Sequence, residues 1–136
     1  MTNAKHGMYE KVGFVLVLLM VLLQSFYAAH AYIDPVAFSN LRGTELVVGG
    51  DADWVRIYAS RTLFVALIVG YLLYSRSYKI LQYVTIFGLV MPIVDAALAY
   101  QAQAPIGVVL KHVATVVYLL ITFRILQLAV KEKGMT

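Results

Sequence analysis

Residues 12–32, VGFVLVLLMVLLQSFYAAHAY, decide the fold. They carry no Asp, Glu, Lys or Arg, and they reach the ~20 residues an α-helix needs to cross ~30 Å of hydrocarbon. Three further stretches of this kind follow, at about 55–74, 80–100 and 106–130. Strands are excluded as the spanning element. Four strands cannot close a barrel, and an open sheet edge would leave backbone groups unsatisfied in lipid. The expected fold class is therefore all-α: a four-helix transmembrane bundle formed by one integral membrane domain over residues 1–136.

Composition agrees. The 136 residues are 62% hydrophobic and only 13% charged, against roughly 45–50% and about 25% in soluble domains. The chain is too apolar for disorder. It has no cysteine, which excludes disulfides, thiolate metal sites and thiol redox chemistry. The formal charge of +4 comes from 11 Lys+Arg against 7 Asp+Glu. No basic run tracks a phosphate backbone, so nucleic acid is not an expected partner.

The first run also carries the marks of a secretory signal: basic residues before it, and Ala29-His30-Ala31 as a small-x-small site. Its apolar length exceeds the 7–15 residues of a signal core, and it is read as a retained first helix.

The connections set the topology. Ser75–Lys79 and Gln101–Pro105 are short, so the helices they join are antiparallel neighbours in an up-down bundle. The longest link, from Ile33 to Trp54, contains Asp34-Pro35, a turn starter that stops the first helix. It also holds Leu46-Val47-Val48, read as a short interfacial piece. Lys5, Lys11, Arg76, Lys79, Lys131 and Lys133 all fall at one end of the bundle. Positive-inside asymmetry then places both termini in the cytoplasm of a multi-pass cell-membrane protein. Tyr32, Trp54, Tyr71, Tyr74, Tyr78 and Tyr100 lie near span ends, as interfacial aromatic residues do.

Ionisable residues inside the spans are the functional candidates, because a charge in hydrocarbon costs at least ~2.5–3.5 kcal/mol. They are Arg56, Arg61, Asp95, Lys111, His112 and Arg124. At 1.5 Å per residue, Arg61 and His112 lie ~9 Å, and Asp95 ~7.5 Å, below the outer end of their spans. Gln24, Tyr27 and His30 of the first span fall near the same level. Thr85, Gly88, Pro92 and Asp95 share one helical stripe, as do Lys111, Thr115, Tyr118 and Thr122, and Trp54, Tyr58 and Arg61. Pro92 should bend the third span one turn before Asp95.

These residues predict a polar cavity opening outward. Asp95, His112 and Arg61 are its candidate catalytic groups, and Tyr58, Lys111, Tyr118 and Gln24 its candidate ligand-binding groups. Asp95 would act as acid/base or polar anchor, Arg61 would hold its charge, and His112 would relay a proton. Isomerisation or cyclisation of a small lipophilic or amphiphilic substrate suits such a site, because only proton transfer is required. The competing view makes Arg61–Asp95 a structural ion pair. Two other functions stay open: an accessory subunit of a membrane complex, and a small transporter, which would need a homodimer. Arg56, Lys111 and Arg124 can also snorkel to an interface.

No phosphate loop, HExxH or GxSxG occurs. The spacing of His6, His30 and His112 gives no helical metal pair, and no cofactor is expected; a haem would require His30 and His112 to face each other.

The layout resembles that of the DoxX-like group of small four-span bacterial membrane proteins and its relatives of unknown function, over about residues 12–128. The likeness rests on a longer first loop, Tyr58-Ala-Ser-Arg61, Met91-Pro92-Ile93-Val94-Asp95 and Lys111-His112. It implies an integral membrane fold and assigns no activity.

Overall fold

The computed structural model describes residues 7–132 and 134; Lys5, His6 and Lys133 lie outside them. Six helices follow one another: α1 (Met8–Ile33), α2 (Pro35–Arg42), α3 (Asp51–Tyr74), α4 (Tyr78–Phe87), α5 (Val90–Gln101) and α6 (Ile106–Glu132). Helices α4 and α5 are two halves of one span. That gives four spans long and apolar enough to cross a membrane: Met8–Ile33, Asp51–Tyr74, Tyr78–Gln101 and Ile106–Glu132. They run up and down in a four-helix bundle, as their short connections require.

The outer surface is made for lipid. Leu22, Phe64, Leu67, Val90, Leu110 and Ile121 are all more than half exposed. An apolar surface of that extent is incompatible with water. Small side chains line the contacts between helices instead: Ala28, Ala31, Ala59, Ala66, Ala99 and Ala129 are buried. In lipid, association depends on close van der Waals packing rather than on apolar burial, and small residues allow it. Gly13 is one such position, since a Cβ there would stand 3.0 Å from Leu126.

Helix α1 packs against α2, α3 and α6, while α6 packs against both α4 and α5. Helix α3 meets the third span through α4. Two packed clusters result. At the end carrying the α3–α4 turn, Val17, Leu73, Tyr78, Leu81, Leu126 and Val130 form a core. Beside it Arg76 pairs with Glu10 at 3.1 Å. At the other end Ala31, Phe38 and Ala59 pack with Tyr27, Val55 and Tyr58.

Three turns share one closure, in which the two amides after a helix bond back across its last turn. Thr44 and Gly43 donate to Ser39 and Asn40, Ser77 and Arg76 to Leu72 and Leu73, and Ala104 and Gln103 to Ala99 and Tyr100. This places Gly43, Arg76 and Gln103 in the left-handed region, with φ of 82°, 56° and 55°.

Two details differ from expectation. The ordered piece of the first loop is α2, over Pro35–Arg42, and not Leu46-Val47-Val48, which belong to no helix. Asp34 ends α1 and also starts α2: its carboxylate accepts from the Ala37 amide at 3.0 Å, with Pro35 in the first turn. The helix of the third span is interrupted at Gly88-Leu89, between α4 and α5. A proline ring clashes with the carbonyl four residues back, which for Pro92 is Gly88. The chain tightens there, with Leu89 and Met91 amides bonding only three residues back at 3.3 and 3.2 Å.

Candidate functional site

Between the two clusters the bundle encloses a cavity of about 560 Å³. Four spans and α2 line it. Toward the turn end its walls are apolar: Val17, Val69, Leu81, Val84 and Leu119. Thr85 and Thr122 are there as well, but their hydroxyls donate to the carbonyls four residues back, which satisfies them within their own helices. At the α2 end the lining turns polar, with Gln24, Tyr27, Arg42, Tyr58, Asp95, Lys111 and His112.

The polar end is built from separate elements. Arg42 closes α2, and its guanidinium donates to Oδ2 of Asp95 on α5. The guanidinium carbon also lies 5.8–5.9 Å from the ring centroids of Tyr27, Phe38 and Tyr58, within reach of their π faces. His112 of α6 is buried, and its Nδ1 stands 4.0 Å from the same Asp95 oxygen. Its Nε2 has no hydrogen-bond partner among the described residues. The Lys111 ammonium donates to the Leu41 carbonyl at 3.2 Å, a favourable place for a cation at the end of α2. Gly43 presses against α6: a Cβ there would lie 2.7 Å from Ala104 and 2.9 Å from Val108. Arg42, Leu41 and Gly43 thus seat α2 over this end of the bundle.

Part of the lining is exposed, on α5 and also at Leu23, Leu41, Lys111 and Ala114. Val90, Met91 and Val94 border the cavity and are about half exposed or more. Helix α2 lies over the polar end of the cavity.

Of the residues expected from sequence, Asp95, His112, Tyr58, Lys111, Tyr118 and Gln24 line this cavity. Tyr118 also donates to the Leu16 carbonyl at 2.6 Å, tying α6 to α1. Arg61 is exposed and does not line it. At 100° per residue, Tyr58, Thr62, Val65, Ala66 and Val69 form the inward stripe of α3, and Arg61 falls about 40° beyond its edge at Val65. The partner of Asp95 is therefore Arg42 rather than Arg61. Arg42 was missed because it lies in a loop, outside the spans in which charges were counted. Arg56 pairs with Asp53 at 3.1 Å on the surface. His30 sits between the Phe26 and Phe38 rings, at 5.8 Å from each, and does not line the cavity with His112.

Fold and site together define a small multi-pass membrane protein whose helices enclose a cavity apolar at one end and polar at the other. Residues 22–126 match the family described as Domain of unknown function (DUF4267), and the chain belongs to that family. The match runs from α1 to α6 and includes every polar residue of the cavity. No curated protein and no solved structure matches the chain.

Proposed function

We propose that the cavity binds a small lipophilic or amphiphilic molecule drawn from the bilayer, with Asp95 and His112 as its proton-handling pair. One observation carries this reading: an apolar chamber ends in a carboxylate, a buried imidazole and a guanidinium supplied by three different helices. A hollow of this size is costly to keep empty, since cavity lining loses its packing partners. A volume of about 560 Å³ fits a molecule of roughly 20 non-hydrogen atoms, at ~30 Å³ for each water-sized group.

Entry from the side past Val90, Met91 and Val94, lining residues that are exposed where the bundle meets lipid, suits a ligand that never leaves lipid. Positive-inside asymmetry puts Lys11, Arg76, Lys79 and Lys131 in the cytoplasm and the polar end of the cavity toward the outer surface. For a substrate held there, Asp95 takes a proton from one carbon and passes it to neutral His112, whose Nδ1 stands 4.0 Å away, and the imidazolium so formed returns it at a second carbon, which is the requirement of an isomerisation or a cyclisation. The likeness to the DoxX-like group belongs to the same reading and adds a shared layout rather than a reaction.

A second reading, a non-enzymatic accessory subunit, is favoured by the Arg42–Asp95 pair itself, which also ties α2 to α5. Native mass spectrometry of protein purified from its own membranes separates the two. A bound small molecule retained by the wild type and lost in Val65→Phe, which fills the chamber, supports the binding reading. Protein that is empty in both forms supports the accessory one.

A further inference from the structure

We infer that the molecule this cavity takes is a single-chain amphiphile with an anionic oxyacid head, a carboxylate or a phosphate, seated against Arg42 and Lys111. The inference rests on the binding reading above and adds the chemistry of the ligand.

Charge is the first argument. The cavity's polar end holds Arg42 and Lys111 against Asp95 alone, a surplus of one positive charge with His112 neutral. Arg42 is paired with Asp95, so the spare cation is Lys111, which is exposed, and an anionic head beside it brings the balance to zero.

Hydrogen-bond supply is the second. A guanidinium has five N–H donors and an ammonium three. Arg42 gives one bond to Asp95, and Lys111 gives one to the Leu41 carbonyl. Arg42 and Lys111 thus keep N–H donors to spare, which acceptor oxygens can fill and a cationic head cannot. An oxyacid supplies acceptors in the geometry that guanidinium recognises best.

Shape is the third. Between His112 and Thr122, both in the lining, α6 advances ~15 Å at 1.5 Å per residue. The walls along that length are mostly apolar and end at the Leu81 and Val17 core, which suits a hydrocarbon chain.

The test follows thermal unfolding of the full chain in zwitterionic nanodiscs, titrated with laurate, lauryl phosphate, lauryl alcohol, lauryltrimethylammonium and acetate. Laurate or lauryl phosphate should bind about tenfold more tightly than lauryl alcohol, the ratio one charge-assisted hydrogen bond supplies. Lauryltrimethylammonium and acetate should give no shift. The preference should disappear in Arg42→Gln or Lys111→Gln and persist in Lys79→Gln, a charge control at the opposite end. Equal binding of the alcohol or the ammonium overturns the anionic head and leaves the cavity reading standing. A shift from acetate equal to that from laurate overturns the amphiphile in favour of a free anion. A preference for laurate that survives in both Arg42→Gln and Lys111→Gln overturns the assignment of the residues. If no amphiphile shifts the wild type, the cavity reading fails and this inference fails with it.

Discussion

Arg42, the last residue of α2, pairs with Asp95 of α5 across 53 positions of sequence. The contact joins the first loop to the third span over the polar end of the cavity, with 17% of the arginine and 31% of the aspartate side chain still accessible. It is neither a surface pair nor a fully buried one. Asp95 also lines the chamber.

A double-mutant cycle tests this pairing. In equilibrium unfolding in detergent, Arg42→Ala and Asp95→Ala should couple by about 1–2 kcal/mol, between the exposed and buried extremes. Arg61→Ala and Asp95→Ala should add to within ~0.5 kcal/mol. Strong coupling of Arg61 instead would return Asp95 to the partner first expected for it.

Gly43 should tolerate no side chain. Its φ of 82° and the 2.7 Å between an added Cβ and Ala104 act in the same direction. Gly43→Ala should lower stability by more than about 1 kcal/mol. Gly49→Ala, with open space around it, should stay within ~0.5 kcal/mol of the wild type. Similar losses at both positions would mean that α2 is not seated against α6.

Gln103 holds a left-handed conformation with φ 55°, which is unfavourable for a side chain. Gln103→Gly should raise stability by about 0.5–1 kcal/mol. A destabilised variant would argue against the turn geometry between α5 and α6.

Orientation can be read directly, because the chain has no native cysteine. In intact cells, Glu45→Cys should react with a membrane-impermeant maleimide, and Ser77→Cys should react only after lysis. The opposite labelling pattern would turn the bundle over and place the cavity's polar end in the cytoplasm.

The spans were legible because length and apolarity alone decide them: residues 12–32 fit no soluble element. The interruption of the third span has its signal in Pro92, although it falls at Gly88-Leu89, where the ring's steric demand is met. Asp95 and His112 were legible as charges and polar groups inside lipid. Helix α2 was not, because eight residues carry too little periodicity. Its boundary signals are nonetheless present, with Asp34-Pro35 at the start and Gly43 after the end. Arg42 followed α2 out of view. Arg61 was misplaced for a different reason. A three-residue step from Tyr58 follows a helical stripe but drifts about 60° to one side, enough to carry a side chain from the chamber wall to the lipid face.

The binding claim is tested most directly by thermal unfolding of wild type and Val65→Phe, each with and without an extract of the native lipids. The account predicts that the extract raises the wild-type Tm and leaves that of Val65→Phe unchanged, because the added ring occupies the chamber. An extract that shifts neither protein, or both equally, would contradict it.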